Sequence, residues 1–111
     1  MKSPTNLEEA FEVLKEDLSV KDQVAILNMQ EEELCRLHSN LGRWIRNNWD
    51  LWHKGPMTQF FNNLGIHHAD DMSGIIIVSF WHHLRKEPLD LDNQVAYYKE
   101  FWASQGKINE S

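Results

Sequence analysis

The chain has one cysteine, Cys35, three prolines, and no apolar run longer than the four residues Ile75-Ile76-Ile77-Val78. A lone cysteine excludes an intrachain disulfide and points to a reducing compartment, the cytoplasm. Four apolar residues cannot span a bilayer, so no membrane segment is expected. The N-terminus turns acidic by Glu8 and has no apolar stretch of signal-peptide length. Basic residues are also scarce: Lys and Arg number 11 against 17 Asp and Glu, for a net charge of −6. Such a surface repels nucleic acid, which is excluded as a partner. Neither H-x-x-x-H nor H-E-x-x-H spacing occurs, and Ser73 lies in no glycine elbow, so no zinc helix and no activated serine is indicated.

What is present is a helical pattern. Apolar residues make up 41% of the 111-residue chain, enough for one core. Leu7, Ala10, Phe11, Leu14 and Leu18 recur at helical spacing and predict a helix over residues 6–17, capped by Thr5 with Glu8 completing the capping box. Ser19 caps a second, short helix whose buried side is Val20, Val24 and Leu27. Asn28 caps a third and longest helix over residues 30–50, with Glu31, Glu32 and Glu33 complementing the dipole in its first turn. Leu34, Leu37, Leu41, Trp44, Ile45 and Trp52 form its apolar stripe. Cys35 reads as a small core residue beside that stripe. Gly42 inside it costs about 1 kcal/mol relative to alanine and suggests close approach of another helix.

Lys54-Gly55-Pro56 breaks the chain before a short helix bearing Met57, Phe60, Phe61 and Leu64, ended by Gly65. His68 then caps a helix over residues 72–85, apolar nearly all round and therefore central. Asp90 or Asp92 caps a last helix with Val95, Tyr98, Phe101 and Trp102 facing inward. Gly106 can end it, with residues 107–111 frayed. The fold class is all-α: one compact domain of five to six helices spanning residues 1–111, its core over about 5–104.

The histidine pairs His67-His68 and His82-His83 lie near Asp70 and Asp71. His and carboxylate are common metal ligands, but neighbours on one helix point about 100° apart and cannot share an ion easily. Helix capping accounts for Asp70 and Asp71 without chemistry. No catalytic residue, metal or cofactor is assigned. The segment from Leu41 to Trp52 is rich in Arg and Trp, residues typical of interface anchors. Arg43 and Trp49 fall off its core face. Arg46, at the edge of that face, is positioned to clamp Asp70 or Asp71 with a two-pronged, charge-assisted contact.

The stretch L-G-R-W-I-R-N-N-W-D-L-W, followed by G-I-H-H-A-D-D-M-S-G-I-I, resembles an uncharacterised bacterial all-helical domain family with L-G-x-W-I-R-N-x-x-x-L-W and H-x-D-D-x-S blocks. The likeness covers roughly residues 5–85. It implies a shared helical fold and singles out Arg46, Asn47, His68, Asp70, Asp71 and Ser73 as a structural clamp or a family site. The family often places proline before the acidic pair, where this chain has Ala69.

The charge is unevenly spread: residues 1–33 hold nine acids and three bases, and residues 87–111 hold five acids and two bases. Small size, acidity and the lack of a catalytic constellation make the chain similar in kind to immunity proteins of contact-dependent inhibition toxins. The expected function is thus non-enzymatic binding of a protein, a basic toxin domain such as a nuclease, through Glu31, Glu32, Glu33, Arg43, Trp49, Asp90 and Asp92. The alternative is a small metal-dependent or acid–base enzyme built on His67, His68, Asp70 and Asp71.

Overall fold

The computed structural model describes residues 3–110, with side chains from Ser3 to Gln105. Six α-helices occur among these residues, with no strand: α1 (Leu7–Asp17), α2 (Val20–Leu27), α3 (Arg43–Asn48), α4 (Pro56–Asn63), α5 (Ala69–Leu84) and α6 (Leu91–Glu110). No helix of the described residues is long and apolar enough to cross a membrane.

The cap of α1 is Asn6, not Thr5: its side chain accepts from Glu9 N at 2.9 Å. The Glu9 carboxylate accepts in turn from the backbone N–H and hydroxyl of Thr5. The cap therefore lies one residue later than expected, and Glu9 reaches back past it to Thr5 instead of Glu8 closing a capping box on Thr5. Leu7, Ala10, Phe11 and Leu14 are buried, and Phe11 packs on Phe80 and His83 of α5. Ser19 caps α2, and Gln23 donates to the carbonyls of Lys15 and Leu18, closing the end of α1. Val20 and Val24 lie one turn apart on the outer side of this short helix and are exposed; Ile26 is the residue it buries.

Helix α5 is central, with nine buried residues. Its two ends are tied differently. At the C-terminal end, Trp81 Nε1 donates to Met29 O and Arg85 donates to Leu27 O, holding the α2 exit. On its flank, buried Ser79 accepts from Gln94 of α6. Asp90, at φ 58°, precedes α6, and its carbonyl accepts from Gln94 N. Helix α6 continues through Gly106 to Glu110, so that glycine does not end it; Ser111 lies outside the described residues. Phe101 and Trp102 are partly exposed rather than core, Trp102 lying over the surface at the start of α5.

The expected long helix over 30–50 is not continuous. Gln30, rather than Asn28, starts it through a capping box with Glu33. A 3-10 helix, Glu31–Leu37, is followed by a π-helical turn, His38–Gly42, and only then by α3. A 3-10 helix repeats every three residues, so Glu31, Leu34 and Leu37 share one row and Cys35 is turned outward. Cys35 is exposed, its thiol donating to Glu32 O. The change of pitch also moves the register downstream: Ile45, Arg46 and Trp49 are buried. The chain turns at Asp50 (φ 51°) and leaves Trp52 56% exposed, its Nε1 donating to Asn47.

Arg46 explains the irregularity. Its side chain is 7% exposed and meets Asp70 (Nε to Oδ1, 3.4 Å), Ser73 (Nη1 to Oγ, 2.8 Å) and the carbonyl of His38 (Nη2 to O, 3.2 Å). Ser73 is fully buried and its hydroxyl donates a hydrogen bond to Asp70 O. The guanidinium thus joins the π-helical turn to the first turn of α5. A Cβ on Gly42 would lie 2.9 Å from Arg46 Nη1. Gly42 chiefly makes room for this guanidinium, and Ile77 of α5 also lies close, 3.6 Å from the same Cβ position. Asn47 takes no part, and Asp71 has another partner, Trp102.

The clamp has an asymmetric energetic signature. Arg46→Ala removes a buried charge and leaves Ser73 and His38 O without their donor, at a cost of about 3 kcal/mol. Asp70, with a side chain 60% exposed, costs about 1 kcal/mol or less when replaced by alanine. In urea melts the Arg46→Ala/Asp70→Ala double variant should be no less stable than Arg46→Ala alone, whereas Arg46→Ala and Asp71→Ala should add. Full additivity of the Asp70 pair would contradict the clamp. Gly42→Ala should destabilise wild type by about 1 kcal/mol, the overpacking exceeding the propensity gain. In the Arg46→Ala background the same exchange should stabilise.

His83 gives a second expectation. Its ring stacks on Phe11, with centroids 4.6 Å apart. Burial, and secondarily the charge of Lys15, lower its pKa. The unfolded chain therefore binds the proton more readily, so stability present above the ordinary histidine value is lost as pH falls through the folded value. Between about pH 7 and pH 5, the midpoint of urea unfolding should fall more in wild type than in His83→Phe. Equal slopes would show that His83 does not contribute.

Candidate acidic cleft

The clamp fixes the 3-10 helix beside the start of α5, and α6 closes the other side. Between them lies a cleft of about 570 Å³. Its apolar surface comes from Leu34, Ile77 and Val78, and its carboxylates from Glu31, Glu32, Asp70 and Asp71. Cys35, His38, Gly74 and Tyr98 complete the lining, with no Lys or Arg. A second hollow of about 330 Å³ shares Glu31, Val78 and Tyr98 and continues past Asp90, Asn93, Gln94 and Tyr97. Five carboxylates from three separate segments thus follow one groove.

Local structure accounts for each wall. Glu31 lies in the same three-residue row as buried Leu34, so the 3-10 pitch holds it at the rim. Asp70 and Asp71 occupy the first turn of α5, where the helix dipole favours negative charge. Asp71 accepts from Trp102 Nε1 at 2.7 Å, and the Trp102 ring stacks on His68, centroids 3.8 Å apart. Tyr98 crosses α5 over Gly74, where a Cβ would come within 3.0 Å of its hydroxyl. Burial chiefly, then the charge of Asp71 and that of the ionised Tyr97 hydroxyl, raise the pKa of Tyr98. Its phenol stays protonated at neutral pH and presents a hydrogen-bond donor.

The sequence-predicted residues divide. Glu31, Glu32 and Asp90, expected at a partner surface, line the groove, and so do Asp70 and Asp71 from the family block. Glu33 is used locally, accepting from Gln30 N and pairing with Arg36. Arg43 and Asp92 are exposed but line neither hollow. Trp49 is a correction: it is 4% exposed, packed edge-on to Trp44, and offers no partner surface. Arg46 and Ser73 form the clamp; Asn47 does not join it. His68 stands at the cap position of α5 but makes no side-chain capping bond.

His67, His68, Asp70 and Asp71 do not converge. His67 bonds Asn62, His68 stacks on Trp102, Asp70 faces Arg46, and Asp71 accepts from Trp102. Among the described residues no three His, Cys, Asp or Glu side chains are grouped to hold a metal ion. Gly74, Tyr98 and His38 were not singled out by sequence. The available signal was a glycine in the middle of an otherwise apolar helix, which marks close approach of another group.

No curated protein and no solved structure matches the chain. A family model described as a domain of unknown function, DUF6794, matches residues 3–84, which ends at the last residue of α5 and leaves α6 beyond it. With that match covering well over half of its length, the chain belongs to the DUF6794 family.

Proposed function

We propose that this chain is a non-enzymatic binding protein for a basic protein partner, and that it acts as an immunity protein neutralising a secreted toxin domain in the bacterial cytoplasm. The observation that carries this reading is the row of five carboxylates, Glu31, Glu32, Asp70, Asp71 and Asp90, along an apolar groove without a basic lining residue. Charge of one sign over a low-dielectric floor concentrates field and accelerates encounter with an oppositely charged protein. The floor supplies the apolar area that makes such an encounter last. A basic nuclease toxin fits both features.

The experiment is co-expression with the C-terminal domain of the toxin encoded next to this gene. A stoichiometric complex is expected in size-exclusion chromatography. Its affinity should fall steeply as salt rises from about 0.1 M to 1 M, because the screening length shrinks from roughly 10 Å to 3 Å. Failure to bind the product of the adjacent toxin gene, or a gene neighbourhood with no toxin, would contradict the immunity reading.

A further inference from the structure

The cleft has two chemistries at fixed positions. Its floor is Leu34, Ile77 and Val78, with Tyr98 seated closely over Gly74 at one side, and its rim is Glu31, Glu32, Asp70 and Asp71. A wholly apolar side chain would desolvate the rim carboxylates and give them nothing in return. An anion would be repelled. A bare metal ion would need converging donors, and among the described residues these are not grouped. A side chain with an apolar stem and a cationic tip satisfies floor and rim together.

We infer that the cleft receives an arginine side chain of the basic partner. The methylene stem lies on Leu34, Ile77 and Val78, and the guanidinium is held by the rim carboxylates and the Tyr98 ring. This rests on reading the chain as a binder of a basic protein, and adds which residue anchors the contact and where. Arginine suits the site better than lysine because its planar fork can bind two carboxylate oxygens and stack on a tyrosine face. The hollow that continues past Tyr98 to Asp90 and Tyr97 accommodates the residues flanking that arginine, so the partner contributes a segment. Helix α6, beyond the family match, supplies Tyr97 and Tyr98 and hence one wall of the receptor.

The test uses the full chain, labelled with ¹⁵N, and a blocked peptide of alternating arginine and glycine. Amide shifts should converge on Leu34, Gly74, Ile77, Val78 and Tyr98, and the lysine version of the peptide should bind more weakly. The Glu32→Gln/Asp71→Asn double variant should bind about tenfold more weakly, as expected for two lost charge-assisted contacts. Its thermal melt checks that it folds. As an independent readout, alkylation of Cys35, which lines the cleft, should block the peptide. Shifts spread equally over Glu8, Glu12 and Glu16 of α1, or binding unaffected by both the double variant and alkylation, would overturn the inference. A toxin complex that forms undiminished with the double variant would refute the cleft assignment while leaving the partner reading intact. Peptide binding at the cleft with no toxin complex would do the reverse.

Discussion

A single buried guanidinium organises the part of this molecule that matters for binding. Arg46 lies out of water between the Ser73 hydroxyl and the His38 carbonyl, which accept its hydrogen bonds, and the Asp70 carboxylate, which faces its Nε as a single ion-pair contact without a hydrogen bond rather than a two-pronged one. Removing a charge from solvent is costly unless it is compensated on several sides, and here the compensation comes from two different elements. That requirement shapes the backbone. The π-helical turn brings the His38 carbonyl to the guanidinium, Gly42 omits the Cβ that would collide with it, and the first turn of α5 presents Asp70 and Ser73 together.

The acidic cleft follows from the same arrangement. With the 3-10 helix held against α5, the row containing Glu31 and Leu34 faces the row containing Asp70, Gly74 and Ile77. Apolar floor and acidic rim are then parts of one geometry. Asp70 serves both: its exposed carboxylate partners Arg46 on the inner side and lines the cleft on the other. Helix α6 completes the enclosure through Tyr98 over Gly74 and Trp102 against Asp71 and His68.

Local pattern was sufficient where helices are regular. The spacing of Leu7, Phe11 and Leu14, and the all-round hydrophobicity of residues 72–84, identify α1 and central α5 because burial there follows a 3.6-residue period. Periodicity failed between residues 30 and 52, where the pitch changes twice. The cause is a tertiary contact between Arg46 and Ser73, which no local window contains. The consequences were specific: Cys35 turned outward, Trp49 moved into the core, and Trp52 moved out of it. The partnership of Arg46 with the acidic pair was legible from the edge position of Arg46, but the choice of Asp70 over Asp71 was not, because it depends on α6 supplying Trp102. Likewise Glu31, Glu32 and Asp90 could be named as acidic residues, whereas their alignment along one groove required the fold.

Arg46 holds the 3-10 and π-helical segment against the start of α5. Native-state hydrogen exchange compared between wild type and Arg46→Met tests it most directly, since methionine fills much of the volume without the charge or the donors. Protection should be lost selectively in Glu31–Leu37, in His38–Gly42 and in the first turn of α5, while α1 and the C-terminal half of α5 stay protected. Unchanged protection in those segments, or a uniform loss across the whole fold, would contradict it.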